Sequence, residues 1–306
     1  MYVNQILIPR KEQVVVELRK FSQVKIFVIS LDRAVERRDH MKELCQKLGL
    51  QVTFVSGVDG RNLSTEQRNR YNPAQARRIY GCEMTDSEIG CYLSHYGVYA
   101  RMTHEGIDTA LIIEDDISCV DDLKHIIEQL APLRAGHWQV VRLQSTKKSV
   151  SSPKSPRAFG KSVGKVGARD LCQLQNGVLG GCAYMIRRPA AEAMLRYGRE
   201  IFMPIDQALD RYWENGIVPF VVRPLPVWHE DRFESNIGVR GRAIASPADA
   251  LQAFQRRVQR LRDSFDKRVF WAAFQAPMAA YFLSWIGMRS ARVALIAFGV
   301  PPVFED

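Results

Sequence analysis

The sequence predicts an α/β domain in which helices flank a parallel sheet. Two short apolar runs, at 24–31 and 52–55, enclose a charged segment with helical periodicity, which is typical of a strand–helix–strand unit. A third apolar run, at 109–113, ends in three acids, as strands do at the ligand-binding edge of a sheet. The chain has 306 residues, of which 46% are hydrophobic and 25% charged. These values exclude a disordered chain and a polytopic membrane protein.

The remaining elements follow from capping residues and periodicity. The first helix begins at Asp32 and ends at Gly49, and Thr85 with Glu88 forms a capping box for a helix that ends near Gly106. We also predict helices at 120–130, from Pro189 onward and at 205–213, and strands at 140–143, 183–186 and 218–222.

The segment 147–169 has no periodicity and carries seven basic residues and no acidic one. A loop this long inside a compact domain is usually functional. We expect it to be mobile in the free protein and to close over a bound anionic ligand.

Composition divides the chain into an N-terminal appendage (1–22), a central domain (23–240) and a basic, apolar helical tail (241–306). The stretch 269–288 has no charged residue, and six basic residues lie just before it, at 256–268. Twenty residues can span a bilayer, but Gln275 and Pro277 lie in the middle. A helix in the membrane surface, a helix packed on the core and a membrane span all remain open, and the first fits the pattern best and the span least.

The charge and the cysteines indicate partners and compartment. The net charge of +10 favours anionic partners, such as phosphates, nucleic acid or an acidic membrane surface. None of the six cysteines forms a C-x-x-C pair, which argues against a zinc ribbon and a thioredoxin-type centre. Because the cysteines are single and dispersed, we expect a reducing compartment. Arg10, Lys11 and Glu12 interrupt the start of the chain, which is unlike a secretory signal, and we expect a cytoplasmic protein.

The sharpest chemical signal is the run Glu114, Asp115 and Asp116. Adjacent carboxylates repel one another unless a cation joins them, and Mg²⁺ or Mn²⁺ held by carboxylates commonly bridges to phosphates. A solvated acidic turn after a strand is the alternative.

Two groups of side chains accompany this run. Arg33, Arg37 and Arg38 follow the first strand, where a helix start favours anions. Cys91 and His95 have the i, i+4 spacing of zinc ligands, but no second such pair occurs in the sequence. A hydrogen-bonded core histidine is therefore the prediction at His95.

Four segments in order, 28–38, 58–60, 88–95 and 111–116, resemble glycosyltransferase family 25. Blocks at 180–186, 204–206 and 227–229 continue the likeness, which covers about 25–231. The resemblance implies a GT-A-like fold, a UDP-galactose or UDP-glucose donor, inversion at the anomeric carbon and a lipopolysaccharide or lipooligosaccharide acceptor.

The resemblance also implies roles for single residues. It implies metal ligands at Glu114, Asp115, Asp116 and His229, although this run is not a strict Asp-x-Asp element. It implies donor binding by Arg33, Arg37, Arg38, Glu88, Ser94, His95, Gly180 and Gly181. Asp206, with Asp210 at i+4, is the predicted catalytic base or acceptor anchor, and a helix-start acid stabilised by the dipole is the alternative.

The sequence thus favours a Mn²⁺- or Mg²⁺-dependent glycosyltransferase, peripheral on the inner face of the bacterial inner membrane. Its expected partners are a UDP-sugar, a glycolipid or oligosaccharide acceptor and the anionic inner-membrane surface. A basic nucleic-acid-binding protein is one alternative, but no nucleic-acid motif occurs, so no nucleic-acid partner is expected. A carboxylate-based glycosidase is the other.

Overall fold

The computed structural model describes residues 24–133, 138–146, 160–174, 177–230, 232–233, 258–259 and 261–269. The strands are β1 (Lys25–Ser30), β2 (Thr53–Ser56), β3 (Thr109–Glu114), β4 (Ile117–Cys119), β5 (Val140–Arg142), β6 (Gly160–Val166), β7 (Arg169–Leu174), β8 (Ala183–Arg187), β9 (Pro219–Arg223) and β10 (Val227–His229). The helices are α1 (Val35–Lys47), α2 (Thr65–Asn69), α3 (Pro73–Gln75), α4 (Asp86–His104), α5 (Leu123–Leu130), α6 (Arg188–Tyr197), α7 (Ile205–Leu209) and α8 (Tyr212–Asn215).

Eight strands form one mixed sheet in the order β2-β1-β3-β8-β5-β9-β7-β6, and β10 pairs with β4 in a separate ribbon. The α/β class is confirmed, but the expectation of a parallel sheet is wrong. Strand β1 runs parallel to β2 and β3, whereas β8 is antiparallel to both β3 and β5. A two-residue turn joins β6 to β7, and such a turn requires antiparallel strands. Buried strands have the same apolar composition in either direction, so composition could not reveal this.

The central strands are buried on both faces. Phe27 and Ile112 pack with α4 and α6 on one side, and Val28 and Leu111 pack with α1 and α5 on the other. Burial on both faces explains why β1 and β3 are continuous apolar runs. Because β1 and β3 run parallel, their carboxyl ends lie together at the edge where the acids are.

The prediction of a loop at 147–169 is wrong for the second part of that segment. Residues 160–166 form the edge strand β6, and Arg169 begins β7. Lys165 pairs with Asp170 at 2.8 Å and Arg169 with Asp122 at 2.6 Å, so these two cations are not unpaired. Polar composition is typical of an edge strand, because lysines there oppose pairing with other chains. Residues 147–159 lie outside the described part.

Two predicted helices have different bounds. The helix expected at 205–213 is divided into α7 and α8, because the chain turns at Asp210 and Arg211. The helix expected at 120–130 begins at Leu123, after the short strand β4.

The terminal predictions fall largely outside the described residues, including 1–22 and 270–288. Residues 261–269 are helical. No helix within the described residues is both long and apolar enough to cross a membrane.

Candidate functional site

A cleft opens at the carboxyl ends of β1 and β3. Its polar lining comes from distant parts of the chain: Ser30, Arg33, Arg37, Asp59, Ser87, Cys91, Ser94, His95, Glu114, Asp115, Asp116 and His229. Because β1 and β3 are parallel neighbours, their carboxyl ends meet at one edge of the sheet. Ligands bind at this edge in open α/β sheets.

The acids at the end of β3 have different surroundings. Asp115 is buried and accepts hydrogen bonds from Ser30 Oγ at 2.6 Å and from Arg37 Nη1 at 3.0 Å. Burial raises the pKa of Asp115. Asp116 Oδ2 accepts from the same Arg37 nitrogen at 3.1 Å, whereas Asp116 Oδ1 is buried without a hydrogen-bond partner. Asp115 is therefore held by the protein, and Asp116 keeps an oxygen available to a ligand.

His229 reaches the acids through the β4–β10 ribbon. It lies opposite Ile117, and the next backbone N–H, of Glu230, donates to the carbonyl of Asp116 at 2.8 Å. His229 Nδ1 lies 3.6 Å from Asp116 Oδ1, and this interaction raises the pKa of His229. Burial acts to raise the pKa of Asp116, but the interactions with His229 and Arg37 outweigh it and lower that pKa.

The other two predicted arginines differ in position. Arg33 lines the cleft and donates to Asp59 at 2.9 Å. Hydrogen bonds from Arg61 and Arg33 lower the pKa of Asp59. Arg38 instead pairs with Asp32 at 3.2 Å and does not line the cleft.

The start of α4 packs directly on the loop after β2. A Cβ added to Gly90 would lie 2.5 Å from the carbonyl oxygen of Val58 and 2.8 Å from the nitrogen of Gly60. Ser94 Oγ accepts from the backbone N–H of Val58 at 2.8 Å. Glu88 accepts from the backbone N–H of the helix N-cap at 2.7 Å, as its capping box predicts. Ser94 and Glu88 thus hold the walls of the cleft.

His95 is a fully buried, hydrogen-bonded histidine, as predicted. Its Nδ1 lies 2.8 Å from Tyr184 Oη, which lies 2.6 Å from Tyr99 Oη. On the other side, His95 Nε2 lies 3.1 Å from Glu114 Oε1. Cys91 Sγ lies 3.7 Å from the same oxygen. Glu114 is therefore fixed by a buried polar chain that runs across the core.

The two predicted catalytic acids stabilise the loop before β8. Asp206 Oδ2 accepts from the N–H of Gly180 at 3.0 Å, and Asp210 Oδ2 accepts from that of Leu179 at 2.7 Å. Both loop residues have positive φ, of 84° and 55°. Buried Arg142 donates to the Gly180 carbonyl at 2.5 Å and pairs with Asp210 at 3.3 Å. Burial raises the pKa of Asp206.

The cleft brings together eight of the predicted residues: Arg33, Arg37, Ser94, His95, Glu114, Asp115, Asp116 and His229. Six predicted residues are not part of its lining: Arg38, Glu88, Gly180, Gly181, Asp206 and Asp210. Sequence reasoning missed Ser30 and Arg142. Both are single polar residues at or near the end of a buried apolar run, and that pattern is the signal that could have found them.

The residues at the acidic edge fit a divalent cation. The buried Oδ1 of Asp116 has no hydrogen-bond partner and faces the His229 imidazole at 3.6 Å, and a carboxylate oxygen beside an imidazole is a donor set for Mn²⁺ or Mg²⁺. Glu114 supplies a second carboxylate at the same edge.

Comparisons with known proteins identify the family of the chain. The family described as glycosyltransferase family 25 (LPS biosynthesis protein) matches residues 23–209. A "Glycosyltransferase 25 family member" of Drosophila melanogaster is 38% identical over 105 residues, which are 33% of this chain and 17% of that protein. "Procollagen galactosyltransferase 2" of Homo sapiens is 35% identical over 97 residues, which are 30% of this chain and 16% of that protein. The match thus spans about a sixth of these relatives.

A crystal structure of "a glycosyltransferase involved in the glycosylation of the major capsid of PBCV-1" is a more distant likeness. It has a TM-score of 0.31 and 9% identity, and covers 57% of this chain and 64% of that one.

Proposed function

The chain belongs to glycosyltransferase family 25, and from that membership we propose that it transfers a hexose from a UDP-sugar to a glycan acceptor with inversion. The observation that carries the proposal is the meeting of Asp116, His229 and Arg37 in one cleft beside Glu114. Galactose is the hexose to test first, because a relative is named a procollagen galactosyltransferase.

Glu114, Asp116 and His229 would hold Mn²⁺ or Mg²⁺. A cation held there would supply positive charge to neutralise the departing diphosphate. Asp115 has both oxygens engaged by Ser30 and Arg37, so its role is to position Arg37 and the end of β3. Arg33 is partly exposed at the cleft and is the cation with most freedom to bind a donor phosphate.

Asp206 is the proposed base or acceptor anchor. Its carboxylate lies outside the cleft lining and accepts from the backbone N–H groups of Gly180 and Gln207, so in either role it must exchange one of these bonds for the acceptor hydroxyl. As the base, it takes the proton of the acceptor hydroxyl while the new C–O bond forms and the bond from the sugar to the UDP oxygen breaks. Burial raises the pKa of Asp206, and a raised pKa makes a carboxylate a stronger base. Asp210 pairs with Arg142 and holds Leu179, so we assign it a positioning role.

The acceptor we propose is a lipopolysaccharide- or lipooligosaccharide-type glycolipid at the cytoplasmic face of the inner membrane. The family description refers to LPS biosynthesis. The helix at 261–269 presents Leu261 and Phe265, which are 67% and 66% exposed, one turn apart. Arg262 and Arg268 are exposed on the same helix. Basic side chains near anionic lipid contribute about 1 kcal/mol each.

That helix is tied to the sheet domain rather than free. Asp263 accepts hydrogen bonds from two nitrogens of Arg211, at 3.1 and 3.0 Å. Lys267 Nζ lies 4.4 Å from the ring centre of Trp213. A membrane contact through this helix would therefore orient the domain on the bilayer.

A hydrolysis screen of nucleotide sugars tests the proposal, because many transferases slowly pass the sugar to water when the acceptor is absent. We expect release of UDP from UDP-galactose or UDP-glucose with Mn²⁺ or Mg²⁺, and none with a chelator. Release that is equal with and without the cation would reject metal dependence. No release from any nucleotide sugar, with or without a lipooligosaccharide acceptor, would reject the transferase.

A further inference from the structure

A cysteine, a histidine and a glutamate meet on the α4 side of the cleft. Cys91 and His95 lie one turn apart on α4, and Glu114 comes from the end of β3. Their ligand atoms all lie within 4.8 Å of one another. The sequence shows Cys91 and His95 at the spacing of two zinc ligands but does not reveal a third ligand. The fold brings Glu114 to them as the third.

The distances match those between ligands of a tetrahedral zinc ion. Bonds of about 2.3 Å to sulfur and about 2.0 to 2.1 Å to nitrogen and oxygen give ligand–ligand distances of about 3.3 to 3.6 Å. The observed distances to Glu114 Oε1 are 3.1 Å from His95 Nε2 and 3.7 Å from Cys91 Sγ. The third pair, Cys91 Sγ and His95 Nε2, lies within 4.8 Å, so metal binding would draw these two side chains of α4 together around the ion.

The surroundings of His95 are those of a metal-binding histidine. Its second nitrogen, Nδ1, lies 2.8 Å from Tyr184 Oη, and the Tyr184 hydroxyl is hydrogen-bonded in turn to the Tyr99 hydroxyl. A partner on the second nitrogen fixes the ring and directs the first nitrogen at the metal. Tyr184 also stacks on the ring, with centroids 5.7 Å apart.

We propose that Cys91, His95 and Glu114 form a binding site for a thiophilic transition-metal ion of the Zn²⁺ class, which shares Glu114 with the Mn²⁺ or Mg²⁺ site proposed above and differs from it in having a thiolate ligand. Binding converts the Cys91 thiol to a metal thiolate and releases one proton to solvent. The fourth position faces the cleft, which all three residues line. Mn²⁺ and Mg²⁺ prefer oxygen ligands and compete poorly for a thiolate.

Cobalt(II) is the probe, because a tetrahedral Co²⁺–thiolate centre absorbs visible light and has a near-ultraviolet thiolate charge-transfer band. We expect the metal-free full chain to develop both features with one equivalent of Co²⁺, and Zn²⁺ to abolish them. No nucleotide sugar is present, so the result does not depend on the proposed transferase activity.

Matched variants identify the ligands. Cys91→Ser should lose the charge-transfer band, whereas Cys119→Ser, which removes a thiol in β4, should retain it. Tyr184→Phe should keep the band but weaken Zn²⁺ affinity by about 10- to 100-fold. A folded wild-type chain without the band, or a Cys91→Ser chain that keeps it, overturns the proposal. Circular dichroism establishes that each variant is folded.

Discussion

His229 Nδ1 lies 3.6 Å from Asp116 Oδ1, although the two residues belong to distant parts of the sequence. The antiparallel pairing of β4 with β10 joins them, because the ribbon begins directly after the acidic run. Any anion or cation that binds at the carboxyl end of β3 therefore encounters both groups.

This contact gives the metal-free protein a pH-dependent stability. The pKa of His229 is raised, so the stabilisation is fully present below the unfolded value of about 6.5 and is lost as pH rises through the folded pKa. The pKa of Asp116 is lowered, so the stabilisation is also lost at acid pH, as pH falls through that folded value. Since the His229 side chain is 47% exposed, the stabilisation from this contact should be below about 1 kcal/mol.

Urea unfolding of wild type and His229→Gln at about pH 5.5 and about pH 9 measures the stabilisation that the His229–Asp116 contact provides. The variant should be less stable than wild type only at the lower pH. His125→Gln, which replaces a surface histidine beside Gln129, is the control. The same deficit at both pH values would contradict the ion pair.

Two glycines of α4 should respond oppositely to alanine. Gly90→Ala places a methyl group against the backbone of Val58 and Gly60, and should destabilise the protein by about 1–3 kcal/mol. Gly97→Ala has open space around it and should stabilise by about 0.5–1 kcal/mol. Chemical denaturation of the pair measures the effect of the contact between α4 and the loop after β2. Equal stability changes in the two variants would contradict an effect of this contact.

Arg142 should be far more important for stability than a surface arginine. Arg142→Met leaves Asp210 buried without its cation and removes a donor to the Gly180 carbonyl, so about 3–5 kcal/mol should be lost. Arg188→Met breaks a solvent-exposed pair with Asp108 and should cost about 1 kcal/mol or less. Urea denaturation gives both free energies of unfolding, and similar losses in the two variants would be evidence against a stabilising role for the buried Arg142–Asp210 pair.

The exposed face of the 261–269 helix should contribute to membrane binding. Replacing Leu261 and Phe265 together by glutamine should weaken the affinity for anionic vesicles at least about tenfold, since each buried apolar side chain contributes about 1.5–3 kcal/mol. Sedimentation with the vesicles measures this affinity. Val35→Gln removes an exposed apolar side chain on α1 and is the control. Unchanged vesicle binding by the double variant would reject this surface.

Local signals predicted the parts of the fold that depend on local chemistry. The Thr85–Glu88 capping box correctly marked the start of α4, and the apolar run at 109–113 correctly marked β3. Strand β6 was missed because an edge strand can be polar and glycine-rich without losing its ladder on the inner side.

The site was predictable only where a residue type implied the chemistry. The acids after β3 and the arginines after β1 carry that signal in the sequence, and the structure brings Arg33 and Arg37 to the acids' cleft. The anchoring of Asp115 by Ser30 and of Asp210 by Arg142 depends on strand order. Strand order is a long-range property that no window of sequence contains.

The most direct test of the central claim is the thermal unfolding of Asp116→Asn with UDP and Mn²⁺. Wild type should be stabilised by the two ligands together and by neither alone, with about 2.7 kcal/mol at a hundredfold excess over Kd. Asp121→Asn, at an exposed acid paired with Lys47, should behave like wild type. Asp116→Asn should fold normally and gain no stability from UDP and Mn²⁺, because the cation would lose the Asp116 carboxylate. If Asp116→Asn is stabilised by UDP and Mn²⁺ as strongly as wild type, the acidic edge of β3 is not the donor site.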